Sequence, residues 1–176
     1  MTWEGLSPPY ATIVADPPWR FRAPGASPKG DATRHYSTLS IPELCSLEVA
    51  SLATENAHLW LWALNGMMEE AHQVVRAWGF SALTMVTWCK PGPGVGYYVR
   101  NNTEHAILAS RGRPMTPEHV PLSTWYQWPR TQHSVKPAGF LDLVEQVSPG
   151  PYVELFARQG RLGWDTWGLG VETPSS

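Results

Sequence analysis

Short apolar runs alternate with amphipathic stretches along nearly the whole chain, and this alternation limits the fold more than any other feature. Residues 10–15 ("YATIVA") read as a buried strand. Residues 40–53 open with Ser40 and Glu43 at capping-box spacing and continue as an amphipathic helix. A second strand is expected at 57–64 ("AHLWLWAL"), and a second helix at 66–80, its end marked by Gly79. Strand patterns recur at 82–90 ("ALTMVTWCK") and 104–110 ("EHAILAS"), with a further candidate at 118–125. Residues 136–148 read as a helix with proline near its start, 151–157 ("PYVELFA") as a strand, and 162–168 as a short final segment. Elements in this order imply an α/β layer with a mostly parallel sheet. Ligands in such sheets bind in loops beyond the carboxyl ends of the strands.

The first strand ends in an unusual way. It runs directly into Asp16-Pro17-Pro18-Trp19, a rigid turn that brings together a carboxylate, backbone carbonyls and an indole. That set suits one chemical task. The exocyclic amine of adenine is a poor nucleophile because its lone pair is delocalised into the ring. Asp16 and the carbonyl of Pro17, locked by the next proline, form a pair of acceptors for the two amine hydrogens. The carboxylate also favours the positive charge that develops on nitrogen during alkylation. Trp19 offers a stacking face for a base removed from its helix. Transfer from a sulfonium methyl donor then needs in-line positioning more than a strong base. The plain alternative is a Pro-Pro turn with a solvent-facing Asp16 and a core Trp19.

Other features narrow the class. A length of 176 residues suits one domain with a real core, and 43% hydrophobic content is ordinary for a globular protein. No stretch approaches the roughly 18 apolar residues that a membrane span needs, and the start "MTWEGLSPPY" is not a signal peptide. Cys45 and Cys89 are too few for a disulfide scaffold and suit no zinc motif, so a cytoplasmic protein is expected. No metal-ligand pair is recognisable among six scattered histidines, and His58 and His72 read as structural or surface groups. The glycine-rich "PGPGVG" at 91–96 lacks phosphate-loop spacing, has no helix after it, and Pro93 removes an amide, so it reads as a mobile loop. Net charge is −2, but residues 20–36, with Arg20, Arg22, Lys29 and Arg34 against Asp31, sum to +3. Residues 41–80 sum to −4. These are either two solvated faces or an anion-binding loop hung from the Asp16 turn.

Taken together, "ADPPW", "HYSTLS", "VTWCK", "NNTEHAILASRG", "HSVKP" and "VELFAR" resemble the MT-A-seventy (MT-A70) family of adenine-N6 methyltransferases in order and approximate spacing. The resemblance covers roughly residues 10–170, which makes a single methyltransferase domain over 1–170 the expectation, with "VETPSS" (171–176) as a flexible tail. It implies a Rossmann-like methyltransferase sheet with helices on both faces, in which the catalytic motif precedes the cofactor-binding strand. That permuted order also accounts for the missing N-terminal glycine fingerprint.

Carried over residue by residue, the resemblance makes Asp16, Pro17, Pro18 and Trp19 catalytic. It assigns Ala15, Asp16, Lys136, Glu154 and Arg158 to the cofactor, S-adenosyl-L-methionine, which leaves as S-adenosyl-L-homocysteine. Glu154 suits the donor's ribose hydroxyls and Lys136 its carboxylate; taken alone, Lys136 reads as a surface lysine before a helix, and the whole pattern turns it to the cofactor. Arg20, Arg22, His35 and Tyr36 fall in the loop that closes over target and cofactor in the family. Glu104 matches a position beside the substrate pocket, or anchors its own strand, and Arg130, His133 and Ser134 are further candidates for that pocket. The tryptophans of "LWLWA" read as core. Where eukaryotic members hold the donor with polar side chains, this chain has "QGRLG" and "WGLGV", and Leu169 and Gly170 offer no side-chain hydrogen bond.

The implied activity is methyl transfer to the 6-amino group of adenine in nucleic acid, DNA ahead of RNA, as in compact bacterial or phage members. No zinc finger, guide domain or separate target-recognition domain is expected. The alternatives are a catalytically silent nucleic-acid-binding partner subunit, and methylation of a cytosine amine or a protein glutamine amide. Retention of Asp16 speaks against the first, and Trp19 against the second. A homodimer and a paralogous partner subunit both stay open, and no metal is expected.

Overall fold

The computed structural model describes residues 3–20, 38–92, 94, 98–115, 121–129 and 135–168. Seven strands form one sheet: β1 (Tyr10–Ala15), β2 (Ala53–Ala63), β3 (Ser81–Cys89), β4 (Thr103–Arg111), β5 (Trp125–Tyr126), β6 (Tyr152–Leu155) and β7 (Trp164–Trp167). Their spatial order is β5-β3-β4-β2-β1-β6-β7. β1 is parallel to both β2 and β6, β6 to β7, and β3 to β5, while β4 is antiparallel to β2 and β3. The mostly parallel α/β sheet expected from the sequence is therefore present, with one reversed strand. The reversal has a local cause: none of the described residues between β3 and β4 is helical, and a parallel pair needs a crossover.

Helices α1 (Ile41–Cys45) and α2 (Met68–Ala77) cover one face, and α3 (Ala138–Val147) covers the other. The strands divide their side chains accordingly. Ile13, Leu59, Leu61, Ile107 and Val153 pack with Leu44 of α1 and Val74 and Val75 of α2. Val14, Trp60, Trp62, Val86 and Trp88 pack with Phe140, Leu143 and Val144 of α3. Each such side chain contributes about 1.5–3 kcal/mol when fully buried, so the two cores together fix the sheet.

Several boundaries differ from the sequence reading. The helix expected over 40–53 is split into α1 and a 3-10 turn at Val49–Leu52. The capping box is real: Ser40 Oγ accepts from the Glu43 amide, and the Glu43 carboxylate accepts from the Ser40 amide at 2.7 Å. The Ser46 hydroxyl then donates to the Glu43 carbonyl at 2.8 Å, and Glu48 adopts ψ 52, which ends the helical path. β2 begins at Ala53, four residues before the expected strand. Of the candidate strand at 118–125 only Trp125 is extended, and 116–120 lie outside the described residues. Gly79 stops α2 as expected: it has φ +81, and its amide donates to the Arg76 carbonyl at 3.0 Å. None of the described helices is long and apolar enough to cross a membrane.

Candidate active site

β1 occupies the centre of the parallel part of the sheet, and its two neighbours connect to helices on opposite faces. The crevice at such a switch point, beyond the carboxyl ends, is where α/β sheets bind ligands. Asp16 stands directly there. Its amide donates to the Leu155 carbonyl at 3.3 Å, which ties the turn to the end of β6. The turn itself is closed by the Trp19 amide donating to the Pro17 carbonyl at 2.8 Å. The Pro18 carbonyl accepts from the Leu39 amide at 2.9 Å, so the returning chain braces the turn.

The stacking face proposed for Trp19 is a correction. Its ring is 8% exposed and belongs to the core under α1 and α2, and Nε1 donates to the Trp62 carbonyl at 2.9 Å. An indole saves more free energy by burying its area with its N–H satisfied than by lying open at a rim. Trp19 therefore anchors the turn. The tryptophans of β2 are core, as expected: Trp60 and Trp62 are each 1% exposed.

Lys136, from the loop preceding α3, places its ammonium 2.9 Å from Asp16 Oδ2 and 3.1 Å from Glu104 Oε2. The same nitrogen lies 5.1 Å from the Trp62 ring centroid. Glu104, on β4, also pairs through Oε1 with Lys90, which follows β3 and lies 4.5 Å above the Trp88 ring. The four groups thus form a chain of alternating charge: Asp16, Lys136, Glu104, Lys90. For Lys136 and Glu104 burial opposes the charged form, but the ion pairs prevail. Lys136 is pushed down by burial and raised by Asp16 and Glu104, ending above its ordinary value. Glu104 is raised by burial and lowered by Lys136 and Lys90, ending below its ordinary value.

On the other side of Asp16 a cavity of about 170 Å³ opens along the end of β6, lined by Lys136, Leu141, Glu154, Phe156, Arg158 and Arg161 among others. Burial, reinforced by the nearby Asp16 charge, pushes the Glu154 carboxyl up to about 7. The chain turns sharply after it, with Phe156 at φ 62, a conformation uncommon for a bulky residue and concentrated at functional sites. Arg161 binds Asp142 at 2.7 Å and Glu145 at 2.7 Å on α3, which fixes the loop that forms one wall.

The structure therefore brings together Asp16, Lys136, Glu104, Glu154 and Arg158 of the residues singled out from sequence. Ala15 is fully buried within β1 and does not line the cavity. Arg20 is exposed just after the turn, and its Nε donates to the Thr38 hydroxyl at 3.4 Å; it does not line the cavity. Arg22, His35, Tyr36, Arg130, His133, Ser134, Leu169 and Gly170 lie outside the described residues, as do the tail 171–176 and most of the basic segment 20–36. Lys90 and Arg161 were not singled out from sequence. Each follows a strand at the carboxyl edge, and Lys90 also closes the "VTWCK" motif, to which the resemblance gives no role.

The mixed sheet with helices on both faces, in which the acid-proline turn precedes the strand that carries the second acid, is a Rossmann-like methyltransferase fold. The chain belongs to the MT-A70 family, whose model matches residues 10–170. It is 30% identical to the type II methyltransferase M.MunI of Mycoplasma sp over 92% of this chain and 78% of that protein. It is 25% identical to a putative N(6)-adenosine-methyltransferase MT-A70-like protein of Medicago truncatula, over 90% of this chain and 26% of that protein. Its identity to the N(6)-adenosine-methyltransferase catalytic subunit METTL3 of Homo sapiens is 24%, over 90% of this chain and 28% of that protein. The chain thus spans most of the Mycoplasma relative and about a quarter of the plant and human ones.

Proposed function

We propose that this chain transfers a methyl group from S-adenosyl-L-methionine to the 6-amino group of adenine in DNA. The carrying observation is Asp16 at the meeting of two subsites, with Glu154 and the cavity on one side and Glu104 on the other. The cavity fits such a donor chemically. Glu154 stands at a strand end, where a carboxylate can accept from ribose hydroxyls. Phe156 and Leu141 supply apolar wall, and Lys136 and Arg158 supply cations for a carboxylate. When bound, the donor supplies an electrophilic methyl on a sulfonium.

The protein's own part is orientation and charge. Asp16 accepts one amine hydrogen. The Pro17 carbonyl accepts the other with its remaining lone pair, since the Trp19 amide takes one. As nitrogen becomes cationic, the Asp16 carboxylate stabilises it and stands within reach of the proton it sheds. Trp19, tied to Trp62, keeps this pair of acceptors fixed while the base enters.

The names of the plant and human relatives support adenine N6 as the target, and the type II methyltransferase name of the Mycoplasma relative supports DNA over RNA. The reading takes 1–170 as one methyltransferase domain acting in the cytoplasm on nucleic acid, with self-association or a paralogous subunit as partners. Labelling defined DNA and RNA oligonucleotides with a tritiated methyl donor, followed by nucleoside mass spectrometry, tests it. N6-methyladenine should appear in DNA with the wild-type chain and vanish with Asp16→Ala, while donor binding persists. Methylated cytosine, or full activity in Asp16→Ala, would refute it.

A further inference from the structure

Lys136 stands between two carboxylates at nearly equal distances, 2.9 Å from Asp16 and 3.1 Å from Glu104. Such a balance is easily tipped. Anything that frees the second oxygen of Glu104 gives it both acceptors to turn on Lys136, and draws the ammonium away from Asp16. In the structure that oxygen is held by Lys90. The Lys90 backbone is fixed in turn, because its amide donates to the Asn102 carbonyl at 2.7 Å. The strand register sets Trp88 opposite Glu104, so the Lys90 side chain crosses the Trp88 ring to reach the carboxylate. Asn65 grips the start of β4 through Thr103 at 3.1 Å, which steadies the same corner from the β2 side. The two tryptophans beneath the two lysines meet edge-to-face with centroids 6.3 Å apart, so both cations rest on one aromatic floor.

We infer that Lys90 is a positioning residue: it holds Glu104, and through Glu104 keeps Lys136 at the distance from Asp16 that the amine-binding turn requires. Its effect on turnover rests on the methyltransferase reading above; its effect on Glu104 does not. Lys90 itself touches neither the cavity lining nor the Asp16 turn, so whatever reaches the cavity from it passes through Glu104 and Lys136.

The test uses the full chain with Lys90→Met, which keeps the stem over Trp88 and removes the charge, and Lys90→Arg, which keeps the cation. Lys90→Met should lower kcat by roughly ten- to a hundredfold, the scale on which small misplacements act, and weaken the donor by a clearly smaller factor, because Lys136 also lines the cavity. The Glu104 carboxyl, followed by carbon NMR, should titrate at higher pH in Lys90→Met than in the wild type, and Lys90→Arg should recover most of both properties. Unchanged kcat, an unchanged Glu104 titration, an equal loss of donor affinity, or an Lys90→Arg as impaired as Lys90→Met would each overturn the inference. Should the wild-type chain methylate no oligonucleotide, the proposed function fails and the Glu104 titration alone decides the role of Lys90. If Lys90→Met does not fold, Lys90→Gln and Lys90→Arg carry the same comparison.

Discussion

Glu154 and Asp16 end neighbouring strands, and only Asp16 has the Lys136 ammonium in ion-pair contact. Glu154 is instead raised, by burial and then by Asp16, from the ordinary 4.5 to about 7. A raised carboxyl makes the folded state bind its proton more tightly than the unfolded state does. The stability this contributes is complete below about 4.5 and is lost as pH rises towards about 7. Wild-type protein without donor should therefore lose on the order of 2 kcal/mol of this contribution between pH 4.5 and 8, after discounting for partial exposure. Glu154→Gln should remove that slope in urea denaturation, raise stability at pH 8, and weaken donor binding. A Glu154→Gln protein with the wild-type pH slope would show that another group titrates. The residues of this centre were unequally legible. Asp16, Lys136 and Glu154 sit in motifs whose resemblance to the family carries a role for each. Lys90 does not, because a lysine after a strand looks the same whether it faces water or a carboxylate. Its partner Glu104 is 14 positions away in sequence and is brought opposite only by the β3–β4 register.

Among the elements, α3 depends on a contact that has nothing to do with chemistry. Ser148, at its C-terminal end, is 2% exposed; its hydroxyl accepts from Trp60 Nε1 at 2.9 Å and shares a hydrogen bond with His58 Nδ1 at 2.9 Å. Burial lowers the His58 pKa, so the ring is neutral and the cluster is held by hydrogen bonds alone. Ser148→Ala should leave two buried polar atoms of β2 without this partner, at a cost of about 2–4 kcal/mol. That is a large share of the roughly 5–15 kcal/mol that holds a domain folded. Urea denaturation measures it, and a loss below about 0.5 kcal/mol, the scale of a surface substitution, would mean that water replaces the hydroxyl. The sequence reading of His58 as structural holds, but Ser148 could not be paired with it before the sheet set β2 beside the end of α3. The same limit explains α1. Its start was legible because a capping box is local, whereas its end depends on Ser46 and Glu48, residues with acceptable helix propensity that the tertiary path bends.

At the scale of the whole molecule, the cavity proposed for the donor does not stand apart from the two cores. Its lining comes from Asp16 just after β1, from α3 and the segment leading into it, and from β6 and the β6–β7 loop, and Arg161 ties that loop back to α3. A ligand seated there bridges elements that belong to different faces of the sheet, so its binding should register as global stability. Donor or demethylated product at a hundred times its dissociation constant adds about 2.7 kcal/mol to unfolding. For a chain of this size each kcal/mol moves the midpoint by about 2–4 °C, so a rise of about 5–10 °C is expected. The variants then separate the two subsites. Asp16→Ala should keep most of the rise while losing methyl transfer, since it removes an amine acceptor. Glu154→Gln should lose the rise, since its carboxylate belongs to the donor side. Lys90→Met should keep most of it, because Lys90 reaches the cavity only through Glu104 and Lys136. A wild-type melting curve that saturating donor leaves unmoved would remove this cavity as the donor site. A rise lost in Asp16→Ala but kept in Glu154→Gln would reverse the assignment of the two carboxylates.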